Sequence, residues 1–519
     1  MTINRRDFLK LAGAGGLALA MPGCAGNLPL PKEVFPDFGD SGRPWLGLAT
    51  SLREEHDYEA RIEGTIPSSL RGTLYRNGPA LFDRGGLRKR TLLDGDGMVQ
   101  SFSIHDGGVL YRNRYVRTEK FVAEEAAGRF LYPTWSTQKP GGFWGNFWQA
   151  GSVPNQAGVT VYWWRGKLYA FDEGNIPYKL DPESLATAGP SNLGLIPGTA
   201  YYSAHPKLDP HTGEWLHFGV KYGPRPLLHL TTFGADGSLR RHRTFPLPRF
   251  VYMHDWIVSG RYLILSLHPV EIEFWGFLLG FRSLFASLRW RPERGNLLMI
   301  VEREGEGKPR LVETEACYMW HSFNAYEEGG ETVADFIGYR NPDHFVGDDP
   351  VISAVMEGRR GHYEFPGEIM RYRIDPVRCT VRRETLNPGS CEWPRIDERL
   401  RFRRHRFGYA VKCLPGEFFW SIVVRVDFLS GTTDEYSFGR GKYCTEAVFV
   451  PKPGNSGDAA GDGWLLTEVY DSHTRKNFLA ILDAGRVAEG PLAIAHLTHH
   501  VPFSYHGWWH PSRASSGDI

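Results

Sequence analysis

Gln100-Ser101-Phe102-Ser103-Ile104, the turn formers Asp106-Gly107-Gly108, then Val109-Leu110-Tyr111: polar and apolar residues alternate on both sides of a tight turn. Alternation with a period of two gives an extended chain one inward and one outward face. An Asp-Gly pair supplies the positive φ that a short hairpin turn needs. The stretch therefore predicts an antiparallel β-hairpin. The same pattern recurs outward from it. Val159-Thr160-Val161-Tyr162-Trp163 is followed by Arg165-Gly166 and Leu168-Tyr169-Ala170-Phe171, and Gly72-Thr73-Leu74-Tyr75-Arg76 runs into Asn77-Gly78-Pro79. Further strand-length runs stand at Tyr262-Leu263-Ile264-Leu265 and Trp464-Leu465-Leu466-Thr467-Glu468-Val469-Tyr470. Strand–turn–strand units without βαβ alternation predict an all-β chain closed as a β-propeller. No motif repeats at a fixed period, so the number of blades is not readable from periodicity.

Composition agrees with many short strands and tight turns. The chain has 519 residues, 13% aromatic, with 16 Trp, 60 Gly and 35 Pro. With 60 basic and 59 acidic residues the net charge is +1, which leaves no basic excess for binding nucleic acid. The six cysteines (Cys24, Cys317, Cys379, Cys391, Cys413, Cys444) show neither a C-x-x-C pair nor zinc-type spacing. Most read as small buried hydrophobes, and an oxidising compartment would allow one or two disulfides.

The N-terminus reads as an address. Asn4-Arg5-Arg6-Asp7-Phe8-Leu9-Lys10 precedes a short apolar run from Leu11 to Met21, too short to span a bilayer and similar to a twin-arginine export signal. Ala18-Leu19-Ala20 offers a cleavage site. Met21-Pro22-Gly23-Cys24 loosely resembles a lipoprotein site, with Met and Pro departing from it, so lipid attachment at Cys24 stays open. The expected division is a leader at 1–24, an extended Pro- and Gly-rich arm at 25–56, a propeller at 57–510 and a tail at 511–519. The expected location is the periplasm.

One segment departs from the β pattern. Residues 274–290 are apolar at Phe274, Phe277, Leu278, Phe281, Leu284, Phe285 and Leu288, with Arg282, Arg289 and Arg291 on the other side. That is helical spacing, for which a core-facing helix and a peripheral membrane contact are both open readings.

Candidate chemistry centres on Tyr318-Met319-Trp320-His321-Ser322-Phe323-Asn324-Ala325-Tyr326-Glu327-Glu328-Gly329, a histidine in aromatic surroundings with two carboxylates after it. His205 (after Tyr201-Tyr202-Ser203-Ala204), His254 (after Phe250-Val251-Tyr252-Met253) and His506 (after Phe503-Ser504-Tyr505) share that setting. His56, His242 and His405 lie in charged or polar runs and read as surface residues. The four aromatic-framed histidines are far apart, which suits ligands from different blades meeting at one metal. A lone histidine is structural by default, and spacing alone does not decide between the two. Asp94-Gly95-Asp96-Gly97 lacks the rest of a calcium loop and reads as a structural turn.

Taken together these pieces resemble the carotenoid cleavage oxygenases, a non-haem iron family. The matching segments are Gly72–Pro79, Asp94-Gly95-Asp96-Gly97-Met98-Val99, Ala204-His205-Pro206, Met253-His254-Asp255, His321–Glu327 and Val501-Pro502-Phe503 before His506-Gly507. The resemblance implies a seven-bladed propeller with a helical and loop cap over an axial site, where Fe(II) is held by His205, His254, His321 and His506. It also implies that Glu173, Glu392 and Glu446 accept the far N–H of three of those imidazoles, leaving Glu327 and Glu328 as turn or surface acids. The implied partners are O2 and a lipophilic substrate, reached through an apolar tunnel for which Trp135, Phe143, Trp144, Phe147 and Trp148 are candidates. A carotenoid or apocarotenoid is the expected substrate, cleaved at one C=C bond to two carbonyl products. Stilbenoid cleavage, isomerisation without cleavage and a non-catalytic lipophile-binding propeller are the alternatives. Stilbenoid cleavers carry a lysine just before the first of these glutamates and carotenoid cleavers usually an apolar residue; this chain has Asp172 there, which fits neither pattern but counts against a phenolate-binding lysine. Oligomeric state is not readable.

Overall fold

Asp96–His105 runs antiparallel to Gly108–Tyr115, with Ile104 facing Val109, as the hairpin reading requires. Asp106 and Gly107 make the turn at φ 25° and 81°, a region glycine enters freely and aspartate tolerates. Thr160–Trp164 and Lys167–Phe171 pair in the same manner. This computed structural model describes residues 27–32, 35 and 42–512, apart from 150, 224, 388 and 455–460. The leader 1–24 with Cys24, and tail residues 513–519, lie outside the described residues.

Among the described residues, seven antiparallel sheets of four or more strands follow one another as blades. Blades 2 to 6 are local, spanning 160–190, 207–246, 257–314, 318–387 and 391–437. Blades 1 and 7 each draw on both ends of the chain. His506–Pro511 joins Gly72–Leu81 in blade 1, with His506 opposite Asn77. Arg61–Gly64 joins Pro491–His496 in blade 7, with Arg61 opposite His496. Closing the ring by strand pairing leaves no open seam between first and last blade. Fully buried Arg76 locks that seam. Its guanidinium donates to Ser504 Oγ and to the carbonyls of Glu446 and Tyr505, and lies 3.5 Å from the buried Glu468 carboxylate.

Three long connections, after Tyr115, Ile272 and Tyr339, cover the site and carry most of the helix. They hold α1 (Glu119–Ala127), α2 (Gly142–Phe147), α3 (Phe274–Leu278) and α4 (Val351–Met356). Thr118 caps α1 by accepting from the Phe121 N–H, and Gly128 ends it at φ 61°.

Several expectations change. The helical spacing of 274–290 yields a helix only as far as Leu278. Beyond it, Leu288–Trp290 is a strand paired with Val270–Ile272. Gly280 breaks the helix at φ 76°, pressed so close to the Asn146–Phe147 backbone that a Cβ would sit 2.8 Å from it. Packing overrides the local period. Leu284, Phe285 and Leu288 enter the core while Trp275 is 66% exposed. Part of the expected arm is also folded, since Pro44–Ala49 winds into a 3-10 turn that buries Trp45, Leu46 and Leu48. His405 is buried rather than on the surface, 3.5 Å from Asp335 and beside Phe428. The five described cysteines are all free thiols. Asp94 and Asp96 are structural. Asp94 accepts from Ser136 N and Thr137 Oγ1, and Asp96 is paired with Lys120 and Arg84.

Candidate metal centre

Each of the four histidines stands at the inner end of a blade. His205 and His254 lie just before the first strands of blades 3 and 4, His321 lies within the first strand of blade 5, and His506 opens the closing strand of blade 1. At His321 the pairing with Glu331–Tyr339 slips between Met319 and Ser322. An irregularity of this kind re-aims a side chain that regular alternation would point elsewhere. All four rings are buried, and one nitrogen from each lies within 4.8 Å of the others.

On three of the four the opposite ring nitrogen meets a carboxylate. His254 Nδ1 is 2.8 Å from Glu173 Oε1, His321 Nδ1 2.7 Å from Glu392 Oε2, and His506 Nδ1 2.9 Å from Glu446 Oε1. The glutamates are themselves pinned. Tyr252 Oη donates to Glu173 at 2.9 Å, Trp393 N to Glu392, and Gly507 N to Glu446 at 2.7 Å. Carboxylates placed in this way keep the imidazole proton on Nδ1 and leave Nε2 as a lone pair. His254 Nε2 stands 2.8 Å from His205 Nε2 and 3.1 Å from His321 Nε2. Lone pairs this close repel each other unless a cation sits among them. Nitrogens about 3 Å apart are what two neighbouring ligands show when each binds one ion at about 2.1 Å. The donor set therefore fits a divalent transition metal.

The local electrostatics follow. Burial holds the His205 imidazole well below its usual range, and the three neighbouring histidines push it further down. Burial also takes His506 to about 3 against the opposing Glu446 charge. At His321 burial works downward, but the carboxylates of Glu392, Asp255 and Glu446 together outweigh it and the imidazole is raised. Burial raises Glu446, yet Arg395 and His506 together bring it down to about 2. Glu446 is thus held as an anion behind the His506 ligand.

The centre lies between two unlike spaces. One is an apolar chamber walled by Trp135, Phe285, Trp320, Phe418 and Phe503 together with His254, His321 and His506. The other is a polar cavity that reaches His205, His321 and His506 past Lys207, Asp255, Arg395, Glu398 and Arg401. Lys207 and Asp255 pair there at 2.6 Å. Trp135 also borders an outer vestibule with Tyr222, Phe250, Phe274 and Phe277. Its indole N–H donates to Asp172 Oδ1 at 3.1 Å. Asp172 further accepts from Gln156 N and Asn175 Nδ2, so it is turned into the wall. Of the five aromatic tunnel candidates, Trp135 takes that position. The others gather at α2, where Phe143 stacks on Phe281 and Trp144 and Trp148 are 65% and 59% exposed. Glu327 is exposed at the strand end and accepts from Ser259, and Glu328 pairs with Arg373, away from the centre. His344, Tyr339 and Tyr363 also line the chamber. None carries a motif, and only the fold brings them there.

Residues 49–511 match the family model described as retinal pigment epithelial membrane protein, and residues 2–22 match the twin-arginine translocation signal. The chain is 32% identical to the apocarotenoid-15,15'-oxygenase of Synechocystis, covering 90% of this chain and 96% of that protein. It is 26% identical to a carotenoid 9,10(9',10')-cleavage dioxygenase of Crocus sativus, covering 92% of each. It is also 26% identical to an isoeugenol monooxygenase of Pseudomonas nitroreducens, covering 90% and 97%. A crystal structure of cobalt-substituted Synechocystis ACO superposes with a TM-score of 0.85 at 31% identity, over 91% of this chain and 99% of that one.

Proposed function

Because the chain belongs to the retinal pigment epithelial membrane protein family of carotenoid oxygenases, we propose that it uses O2 to cleave one C=C bond of a carotenoid or apocarotenoid. One alkene and one O2 give two carbonyl compounds, so atoms and electrons balance without a reductant. The observation that carries this reading is the set of four converging imidazole lone pairs at the wall of an apolar chamber. His205, His254, His321 and His506 would hold Fe(II), and Glu173, Glu392 and Glu446 keep three of the rings in the ligating tautomer. Bound there, Fe(II) supplies the redox-active centre through which O2 reacts with the alkene. Trp135, Phe285, Trp320 and Phe503 exclude water and hold a flat polyene against the ligands. Asp172, committed to Trp135, offers no ammonium to a phenolate, which favours a polyene over a stilbenoid.

The twin-arginine signal directs the chain across the cytoplasmic membrane. We place the mature protein in the periplasm, resting on the membrane through Trp144, Trp148, Trp275 and Phe281 beside the vestibule. Lipid attachment at Cys24 would reinforce that contact. The test is to load the purified protein with Fe(II) and assay a carotenoid, an apocarotenal and a stilbenoid, detecting aldehydes by mass spectrometry. Polyene-derived aldehydes are expected, and isomerised substrate or no product overturns the proposal. His321→Ala should retain less than a tenth of the wild-type metal, and normal retention would remove His321 from the ligand set.

A further inference from the structure

We propose that His344 and Tyr363 form a subsite on the chamber wall that binds a carbonyl oxygen at the polar end of the substrate. The proposal rests on the oxygenase reading and narrows it to polyenes ending in an aldehyde, ketone or ester.

The argument starts from one proton. His344 is 3% exposed and lines the chamber. Its Nε2 accepts the indole N–H of Trp320 at 2.5 Å. An indole N–H only donates, so Nε2 must be a lone pair. Burial keeps the ring neutral by lowering it to about 3, which leaves its single proton on Nδ1. That N–H has no hydrogen-bond partner among the described residues. A buried donor without an acceptor is unusual enough to point to a missing ligand.

Its neighbours supply a second donor. The His344 ring lies 4.7 Å from that of Tyr339 and 5.4 Å from that of Tyr363, both in the chamber wall. Two other wall tyrosines are already committed, Tyr252 to Glu173 and Tyr505 to the Leu92 carbonyl. Tyr339 faces the Glu392 carboxylate, whose charge adds to burial in keeping its phenol protonated. Tyr363, which packs against both rings and shares a hydrogen bond with Tyr339, is likewise kept protonated by burial. The pair His344 Nδ1–H and Tyr363 O–H thus offers two neutral donors in an otherwise apolar wall. A carbonyl oxygen has two lone pairs and no proton, so it satisfies both. A hydrocarbon end satisfies neither, and an alcohol brings a proton that needs its own acceptor. Among the described residues lining the chamber there is no lysine or arginine to hold a carboxylate. Trp320 spaces the subsite from the metal ligands, its ring lying 4.6 Å from that of His254 and 6.0 Å from that of His344. The held carbonyl would therefore fix which double bond reaches the centre.

The test compares one polyene skeleton ending in aldehyde, alcohol or hydrocarbon, with wild type, His344→Phe and Tyr363→Phe, all Fe(II)-loaded. Wild type is expected to prefer aldehyde over hydrocarbon by at least tenfold in kcat/KM, carried mainly by KM. In both variants that ratio should fall to within twofold of one, and the cut should spread to neighbouring double bonds. His344→Gln, which restores an N–H donor, should recover part of the preference. A merely structural role would lower turnover of all three substrates together, and that result overturns the proposal. An unchanged ratio overturns it too. Should His344→Phe fail to fold, Tyr363→Phe carries the comparison. Quenching of tryptophan fluorescence measures binding without turnover. If wild type cleaves nothing, the oxygenase reading falls, while equal affinity for aldehyde and hydrocarbon removes the subsite.

Discussion

Lys89 shows how one side chain far from the chemistry can set the limits of stability. It is buried, its ammonium lies 4.2 Å over the Phe130 ring, and its Nζ has no hydrogen-bond partner among the described residues. Burial, helped by the nearby Lys120 charge, lowers it to about 8. A lysine whose folded value lies below its unfolded value binds fewer protons when folded, so wild-type stability rises between pH 8 and 10.5. Below pH 8 the full cost of the buried charge is present. Lys89→Met should therefore raise stability at pH 7 by up to about 3 kcal/mol, with the gain shrinking by pH 9.5. Denaturant midpoints at the two values measure this, and a pH-independent difference would show that charge is not the cause. The metal-centre residues were unequally legible in the sequence. The histidines stood out through aromatic context, whereas Glu392 and Glu446 lie beside nothing that marks an acid as functional. They become meaningful only when blades 6 and 7 deliver them to His321 and His506. Family resemblance pointed to them, and local chemistry did not.

At the scale of elements, hairpins were the most readable and 274–290 the least. A hairpin depends on its own turn, so Asp106-Gly107 suffices to specify one. Residues 274–290 depend on Gly280 meeting α2 and on Leu288–Trp290 finding Val270–Ile272, contacts that no local period encodes. What results is a cluster with α2 that exposes Trp144, Trp148, Trp275 and Phe281. Large apolar side chains grouped at a vestibule favour insertion into a lipid interface. Trp144→Glu combined with Trp275→Glu should reduce co-sedimentation with phospholipid vesicles at least fivefold. Undiminished sedimentation would assign the membrane contact elsewhere.

At the scale of the molecule, the seam between blades 1 and 7 holds a fully buried ion pair. Arg76 and Glu468 are both fully enclosed, with Glu468 also accepting from Gln100, Asn477 and Ser504. Removing one partner leaves the other charged and unpaired in a dry interior. Arg76→Met should therefore cost about 3–5 kcal/mol, and Arg76→Met with Glu468→Gln appreciably less. Equal losses in thermal unfolding would mean that the guanidinium acts through its carbonyl contacts instead. Closure was expected from composition and strand pattern. The number of blades was not, because strand lengths and connections vary too much to leave a period.

His506 opens the strand that completes the ring, and that placement bears on biosynthesis. A ribosome delivers His205, His254 and His321 long before His506, so an unfinished chain holds an incomplete ligand set. The last ligand arrives with the strand that closes the barrel of blades. With the proposed ligand set, full metal binding would wait for the closing of the ring, and the twin-arginine route admits a chain after it has folded. A truncated or misclosed copy would bind the metal weakly. Occupancy would then report that the whole ring has been made.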